Sequence, residues 1–190
     1  VNSVFLAAVA QISATGPRLR DSLGGLGRKS LKEAALYLPI GLGLVGALVA
    51  RTFGLPSLNR RTSMVGLGYL LALTPLSAFV YLFSRLPALS DGEILYTSIS
   101  WMPSLGLSAS LYLDELSALF ALLISGIGTL VLVYAGYYFR GDLSAWRFLA
   151  FLLLFMTAML GVVLAGDLIT LFLFWEGTSI TSYLLIGYKY

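Results

Sequence analysis

The sequence predicts an all-α membrane protein with about five transmembrane helices. Of its 190 residues, 58% are hydrophobic and 11% are charged, whereas a soluble domain carries roughly 25% charged residues. Five apolar segments are each long enough to cross the ~30 Å hydrocarbon core of a bilayer as a helix. Short polar stretches separate them and hold most of the charges. Lipid is therefore the expected solvent for most of the chain.

Composition also excludes several classes of protein. The chain has no cysteine and no histidine, which removes disulfide frameworks, thiol catalysis, imidazole triads and zinc sites built on these residues. The net charge of +3 is scattered, and nucleic-acid binding needs a basic patch on one face. No phosphate-binding loop or nucleophile elbow is present. We expect no cofactor, no metal and no nucleic-acid partner.

Residues 1–33 form a basic extension of uncertain role. A short apolar run at residues 4–9 precedes the basic residues, the reverse of the order in a signal peptide. The segment is either an upstream extension without stable structure or, over residues 19–35, an amphipathic helix at the membrane interface. The first residue is Val1, which suggests a fragment.

Two transmembrane helices are predicted within residues 34–84. The first, at residues 34–50, is rich in glycine and alanine, which suits close helix packing in lipid. The second, at residues 64–83, contains Pro75. Proline lacks an N–H and frees the carbonyl four residues before it, so we expect a kink, with Thr74 or neighbouring helices satisfying that carbonyl.

Residues 85–114 are the longest polar interval and form a predicted extracytoplasmic loop. Polar and apolar residues alternate over residues 108–113, which favours a short strand or hairpin. Asp114 follows as the expected N-cap of the next helix, with Glu115 in its first turn.

Three further transmembrane helices are predicted within residues 115–190, at 116–139, 146–165 and 167–189. Asp142 and Asp167 precede the last two helices, and helix capping explains both. Gly126 and Gly128 lie in the first of the three as a packing notch or a hinge, and the notch is favoured. Tyrosines near the ends of the first and third of these helices are typical of an aromatic belt.

Charge distribution predicts the topology. The polar stretches at one end of the predicted helices hold Arg51, Arg60, Arg61, Arg140, Arg147 and Lys189, and those at the other end hold Asp91, Glu93, Asp114, Glu115 and Asp167. The positive-inside rule places the basic end in the cytoplasm. The basic residues between 18 and 32 would then lie outside, so either residues 3–14 cross the membrane as well or the segment is foreign to the mature protein.

One carboxylate, Glu176, lies near the middle of the last helix. An acidic group at mid-membrane costs about 2.5–3.5 kcal/mol on insertion scales, and such groups are functional by default. Ser179 and Tyr183 share its helix face and Thr178 lies nearby, so these hydroxyls could orient the carboxylate or hold water. Lys189 is about 20 Å further along the axis, so an ionic partner must come from another helix. Glu176 is the candidate site on a proton path.

The strongest family signal lies in the last hundred residues. Phe-Trp-Glu-Gly-Thr-Ser-Ile-Thr-Ser-Tyr-Leu-Leu-Ile-Gly (174–187), the preceding residues 153–168, Trp-Met-Pro-Ser-Leu-Gly (101–106) and residues 112–128 resemble the antiporter-like, proton-conducting subunits shared by Mrp-type Na+/H+ antiporters and respiratory complex I. The resemblance favours the large A subunit of Mrp antiporters, and Trp-Glu-Gly alone favours subunit 5 of complex I.

This resemblance implies a fold of roughly fourteen helices, of which the chain supplies the first part. It also implies that Glu176 pairs with a lysine two helices further on, which this sequence does not reach. We expect the chain to be a fragment of a proton-translocating subunit of a multisubunit cation/proton antiporter in the bacterial inner (plasma) membrane. Such a subunit is a transporter more than an enzyme. The alternatives are a proton-pumping subunit 5 of complex I, which would make it part of a translocase, and a membrane scaffold without transport.

Overall fold

The computed structural model describes residues 35–53, 63–102, 107–140, 142 and 145–189. Five helices and one hairpin make up this part of the chain: α1 (Leu38–Phe53), α2 (Met64–Ser90), β1 (Leu95–Met102), β2 (Leu107–Leu113), α3 (Glu115–Tyr138), α4 (Trp146–Val163) and α5 (Leu168–Ile186). Short 3-10 turns, Ala35–Tyr37 and Gly187–Lys189, flank the bundle. All five helices, α1 together with its preceding turn, are long and apolar enough to cross a membrane. The protein is thus a mostly helical membrane protein, and the basic extension at residues 1–33 lies outside the described residues.

Helix α4 is the centre of the bundle. It packs against α1, α3 and α5 and touches α2, while α2 and α3 share the most extensive helix pair. One buried cluster, including Leu71, Leu132 and Leu153, fills the half of the bundle near the start of α2. A second, including Leu82 and Leu160, fills the other half and continues into the hairpin.

Glycines bring several of these helices into close contact, as the predicted small-residue packing requires. A Cβ atom placed on Gly43 of α1 would lie 2.0 Å from Oγ1 of Thr157 in α4, and one on Gly46 would lie 2.9 Å from the methyl group of Thr74 in α2. A Cβ atom on Gly128 of α3 would likewise clash with the Met156 side chain of α4. Gly128 is therefore a packing notch.

Helix α2 is longer than the sequence predicts. Its expected end near Phe83 is wrong, because the helix continues through Pro87 to Ser90. The apolar spacing persists through Leu82 and Leu89, which are both buried in the cluster beneath the hairpin. Arg85, the charge that suggested a loop, lies with its guanidinium carbon 5.0 Å from the centre of the Tyr81 ring. This cation–π contact is favourable and helps to accommodate Arg85 within the helix.

Pro75 lies inside α2 with its freed carbonyl satisfied. The Thr74 hydroxyl donates to the carbonyl of Leu71 at 2.8 Å, which is the acceptor four residues before the proline. The expectation that Thr74 compensates for Pro75 is confirmed.

The two strands form an antiparallel hairpin between α2 and α3. Leu95 pairs with Leu113 and Ser98 with Ser110, and the register shifts between Ser100 and Met102. Leu95, Leu111 and Leu113 are buried against the bundle. Asp114 then caps α3, because its carboxylate accepts from the N–H of Ser117 at 2.8 Å while its own N–H donates to the Ser117 hydroxyl at 2.9 Å. The capping role predicted for Asp114 is confirmed.

Contacts at each end of the bundle show which helix termini lie together. The hydroxyls of Tyr69, near the start of α2, and Tyr137, near the end of α3, lie 2.8 Å apart. At the opposite end, the Tyr37 hydroxyl donates to the carbonyl of Ala109 in β2 at 3.0 Å. We call the end of the bundle that carries Tyr69 and Tyr137 the basic end, and the end that carries Tyr37 and the hairpin the acidic end. The alternating arrangement of helices matches that used to predict the topology.

Candidate functional site: Glu176 on helix α5

Glu176 lies one residue before the midpoint of α5. The other charged residues of the described helices, Arg51, Arg85, Glu115 and Arg147, lie within the first two or the last six positions of their helices. Among the described residues, Glu176 is therefore the one charged group in the middle of a candidate membrane span. In a bilayer this position costs free energy unless the carboxylate is protonated, hydrated or paired.

The Glu176 side chain lies on an exposed face of α5. Leu173, Ile180 and Tyr183 share this face with exposed fractions of 52%, 59% and 75%. No hydrogen bond or ion pair joins Glu176 to any other residue that the structure describes. The grouping of these residues on one face agrees with the helical period of the sequence.

The predicted supporting hydroxyls do not bond to Glu176. The Thr178 hydroxyl donates to the carbonyl of Trp175 at 2.6 Å, and the Ser179 hydroxyl donates to the same carbonyl at 3.3 Å. Tyr183 is exposed, with no hydrogen bond to the carboxylate in the described chain. Ser and Thr in transmembrane helices commonly satisfy their hydroxyls in this way. Their role around Glu176 stays a prediction.

The opposite face of α5 packs tightly on α4. A Cβ atom on Gly161 of α4 would lie 2.2 Å from the Phe174 ring, and one on Gly177 of α5 would lie 3.4 Å from Cβ of Ala158. Only Thr170 and Thr181 of α5 are fully buried. Helix α5 thus contacts α4 through the face that carries Phe174, and the face that carries Glu176 is exposed.

A polar cluster fixes the start of α5. The Asp167 carboxylate accepts from the N–H of Thr170 at 2.7 Å and from its hydroxyl at 2.9 Å. It also accepts from the N–H of Ser110 in β2 at 3.1 Å and from the Ser110 hydroxyl. The Gly166 N–H donates to the Ser110 carbonyl at 2.9 Å. Asp167 therefore caps α5, as predicted, and also ties that helix to the hairpin, which local sequence patterns did not indicate.

These donors stabilise the charged form of Asp167. Partial burial raises the pKa of the Asp167 carboxyl, but hydrogen bonds from the Ser110 hydroxyl, from the N–H and hydroxyl of Thr170 and from the Ser110 N–H outweigh burial and lower the pKa to about 2. Asp167 is thus an ionised anchor at neutral pH and does not carry protons there.

A second contact fixes the end of α5, and it corrects one prediction. Asp142 is not the cap of α4, because Ala145 occupies the N-cap position. The Asp142 carboxylate instead accepts from the Tyr188 hydroxyl at 3.2 Å. The Tyr188 ring packs against Phe139 and Phe148 at 5.8 and 5.5 Å between ring centres. The predicted aromatic cluster at this end therefore anchors α5 as well.

No group of three or more His, Cys, Asp or Glu side chains that could hold a metal ion occurs among the residues that the structure describes. A carboxylate such as that of Glu176 can bind and release a proton or pair with a cation.

Comparisons with known proteins show what this chain is similar to. Residues 99–149 match the family described as "NADH-Ubiquinone oxidoreductase (complex I), chain 5 N-terminus". The chain is 41% identical over 153 residues to the Na(+)/H(+) antiporter subunit A1 of Staphylococcus haemolyticus (strain JCSC1435), and 40% identical over 153 residues to that of Staphylococcus aureus. Each alignment covers 80% of this chain and 18% of the relative.

The fold matches a solved structure as well. It superposes on a chain of the "Structure of Mrp complex from Dietzia sp. DQ12-45-1b" with a TM-score of 0.62 and 31% identity, covering 80% of this chain and 15% of that one. The chain thus spans less than a fifth of the length of the relatives that it matches. On these matches, the chain is similar to the antiporter-like membrane subunits that Mrp-type Na+/H+ antiporters share with complex I.

Proposed function

We propose that this chain is part of a proton-translocating subunit of a multisubunit Na+/H+ antiporter, with Glu176 on the proton path. The observation that carries the proposal is the position of Glu176 at the middle of α5, on a face that no described residue covers. The 41% identity to an antiporter subunit A1 supports it.

The chemistry follows from the environment of the carboxylate. In a bilayer an isolated carboxylate favours the protonated form, and a nearby cation favours the ionised form. A partner lysine that approaches and withdraws would therefore alternately release and restore the proton of Glu176. No such cation lies near Glu176 among the described residues, so the partner is a residue of another helix or subunit. Thr178, Ser179 and Tyr183 would hold the water that links the carboxylate to each side.

Partners and location belong to the same proposal. The subunit would assemble with other antiporter subunits in the plasma membrane, as a protein built from lipid-crossing helices. The exposed face around Glu176 would be covered by helices of the complete assembly. The carboxylate would then lie in protein and water in place of lipid, which is the usual setting for acids within membranes.

The test is proton movement driven by Na+. Everted vesicles from cells that lack their own antiporters, carrying the full-length protein with its partner subunits, are made acidic inside, and a pH-sensitive dye reports the proton efflux that added NaCl causes. Glu176→Gln, which cannot carry a proton, is expected to reduce the rate by about tenfold or more. Glu176→Asp should retain a measurable rate.

The matched control is Glu115→Gln, which removes an exposed carboxylate in the first turn of α3. It should leave the rate unchanged. Membrane content of each variant is compared by immunoblot. Transport by Glu176→Gln at the wild-type rate would remove Glu176 from the proton path and favour a scaffold.

A second candidate is a proton-pumping subunit of complex I, which the match of residues 99–149 favours. The same vesicles separate the two functions. Proton movement that requires NADH and a quinone, and does not respond to NaCl, would indicate the complex I function. A response to NaCl without NADH would indicate the antiporter.

A further inference from the structure

An apolar groove with two arginines at its mouth runs between α1 and α4. Its volume is about 520 Å³, and its walls include Leu48 of α1 and Phe151 and Leu154 of α4. Arg51, near the end of α1, and Arg147, near the start of α4, also line it. The two helices run in opposite directions, so both cations lie at the basic end of the bundle.

Both arginines are available to a ligand. Arg51 and Arg147 are exposed, and neither is in an ion pair with another residue within the described ranges. Asp142 lies at the same end, but it does not line the groove, and it accepts the Tyr188 hydroxyl. Two guanidinium groups from different helices therefore lie beside one apolar wall, and no anion among the described residues is paired with them.

The groove combines the two chemistries of a phospholipid. Guanidinium groups bind phosphate oxygens through paired N–H donors, and the leucine and phenylalanine wall suits an acyl chain. Trp146, which lines the mouth, is a residue that favours the headgroup level of a membrane. From Leu44 to Arg51 the α1 wall extends about 10 Å, enough for the upper part of a chain. A soluble phosphate would make no contact with the apolar wall. An apolar helix would fill the groove but would leave the two arginines without a negative partner.

We propose that this groove binds an anionic phospholipid, with its phosphate between Arg51 and Arg147 and one acyl chain along the α1 and α4 walls. Basic pockets between transmembrane helices commonly take anionic lipid headgroups. The site lies at the end of the bundle opposite the hairpin and needs no contribution from Glu176. It holds whether or not the chain carries protons.

Photolabelling tests the proposal. The full-length protein in its assembly is placed in phosphatidylcholine nanodiscs that contain a small fraction of phosphatidylglycerol with a diazirine in one acyl chain, and the labelled peptides are identified by mass spectrometry. Labels are expected on residues 38–53 and 146–163. A phosphatidylcholine probe with the same chain should label these peptides much less.

Variants then test the charges. Arg51→Gln combined with Arg147→Gln should reduce labelling of the groove by about 25-fold, since each basic residue contributes on the order of fivefold in affinity. Arg51→Lys with Arg147→Lys keeps the charges and should keep most of the labelling, which separates loss of charge from misfolding. Arg140→Gln removes an exposed arginine at the same end that does not line the groove, and it should have no effect.

Three results would overturn the proposal. The first is equal labelling by the two probes, which would mean that the groove holds lipid without regard to charge. The second is full labelling of the glutamine variant. The third is absence of label from both walls, which would show that polypeptide covers the groove.

Discussion

At the residue scale, Asp167 and Glu176 differ in the number of hydrogen bonds that their carboxylates accept. Asp167 accepts four hydrogen bonds, from the N–H and hydroxyl groups of Ser110 and Thr170. Glu176 accepts none from the described chain, although it lies only about 13 Å further along the same helix axis. A carboxylate with many donors is held ionised and serves as an anchor. Glu176 has no such anchoring contact with the described residues.

Replacement of Asp167 by Asn should weaken the attachment of α5 to the hairpin. The amide oxygen cannot accept all of the bonds, and its NH2 group would face other donors. The free energy of unfolding should fall by about 2 kcal/mol, in the range of charge-assisted hydrogen bonds. Thermal unfolding of the full-length protein in detergent at pH 7 measures this. Ser110→Ala, which removes one donor only, should cost less, and the double variant should cost less than the sum of the single changes.

The effect of Asp167 should also depend on pH with a defined sign. Because the folded pKa of about 2 lies below the ordinary Asp value of 3.8, the stabilisation is complete above the unfolded pKa and is lost as the pH falls from about 4 towards 2. The difference in stability between wild type and Asp167→Asn should therefore shrink over this range. A difference that stays constant between pH 7 and pH 2.5 would show that the charge of Asp167 contributes nothing.

At the element scale, α2 and α3 approach each other through two glycines. A Cβ atom on Gly68 would lie 2.8 Å from Cα of Gly136, and one on Gly136 would lie 3.0 Å from Cα of Gly68. The obstacle is backbone in both cases and cannot rotate away. This contact lies near the basic end, beside the paired hydroxyls of Tyr69 and Tyr137. Close approach of this kind lets two helices gain dispersion energy in lipid.

Gly68→Ala should separate the two helices and destabilise the protein by about 1–3 kcal/mol, the usual cost of overpacking. Gly66→Ala is the matched control, because it lies on the same helix with nothing within 4 Å of the added Cβ. It should be neutral or slightly stabilising, since alanine is the better helix former. Thermal unfolding in detergent compares the two. Equal effects of the two substitutions would contradict the close packing of α2 and α3.

The sequence predicted elements well where local signals decide, and poorly where distant contacts do. Asp114 and Asp167 precede long apolar runs, so their caps are readable, and Thr74 lies next to the proline whose lost bond it compensates. The end of α2 was misplaced because burial of Leu89 beneath the hairpin outweighs the polar residues that begin at Arg85. Asp142 was misassigned because its partner, Tyr188, is 46 residues away.

The candidate site shows the same division. The position of a carboxylate in a long apolar run makes Glu176 a candidate from the sequence alone. The attachment of α5 through Ser110, 57 residues before Asp167, leaves no periodic or local pattern. The contact of Gly68 with Gly136 likewise cannot be predicted from the local sequence, because glycines are common in membrane helices and neither one indicates its partner.

At the scale of the whole molecule, the bundle has one basic end and one acidic end. Arg51, Arg140 and Arg147 lie at the first, and Asp91, Glu93, Asp114, Glu115 and Asp167 lie at the second with the hairpin. The positive-inside rule relates such a bias to the orientation in the membrane. Asp142 is an exception at the basic end. Arg85 is another, near the acidic end. Its contact with Tyr81 and its place five residues from the end of α2 allow the charge to reach the interface.

The orientation can be measured with single cysteines, because the 190 residues contain none. Ser90→Cys, at the exposed end of α2 near the hairpin, should react with a membrane-impermeant maleimide added to intact cells that carry the full-length protein without its other cysteines. Arg140→Cys, exposed at the basic end, should react only after the membrane is permeabilised. Thr52→Cys, exposed at the end of α1, should behave like Arg140→Cys if both lie in the cytoplasm. Labelling of Arg140→Cys in intact cells, with protection of Ser90→Cys, would invert the topology and place the proposed lipid groove in the outer leaflet.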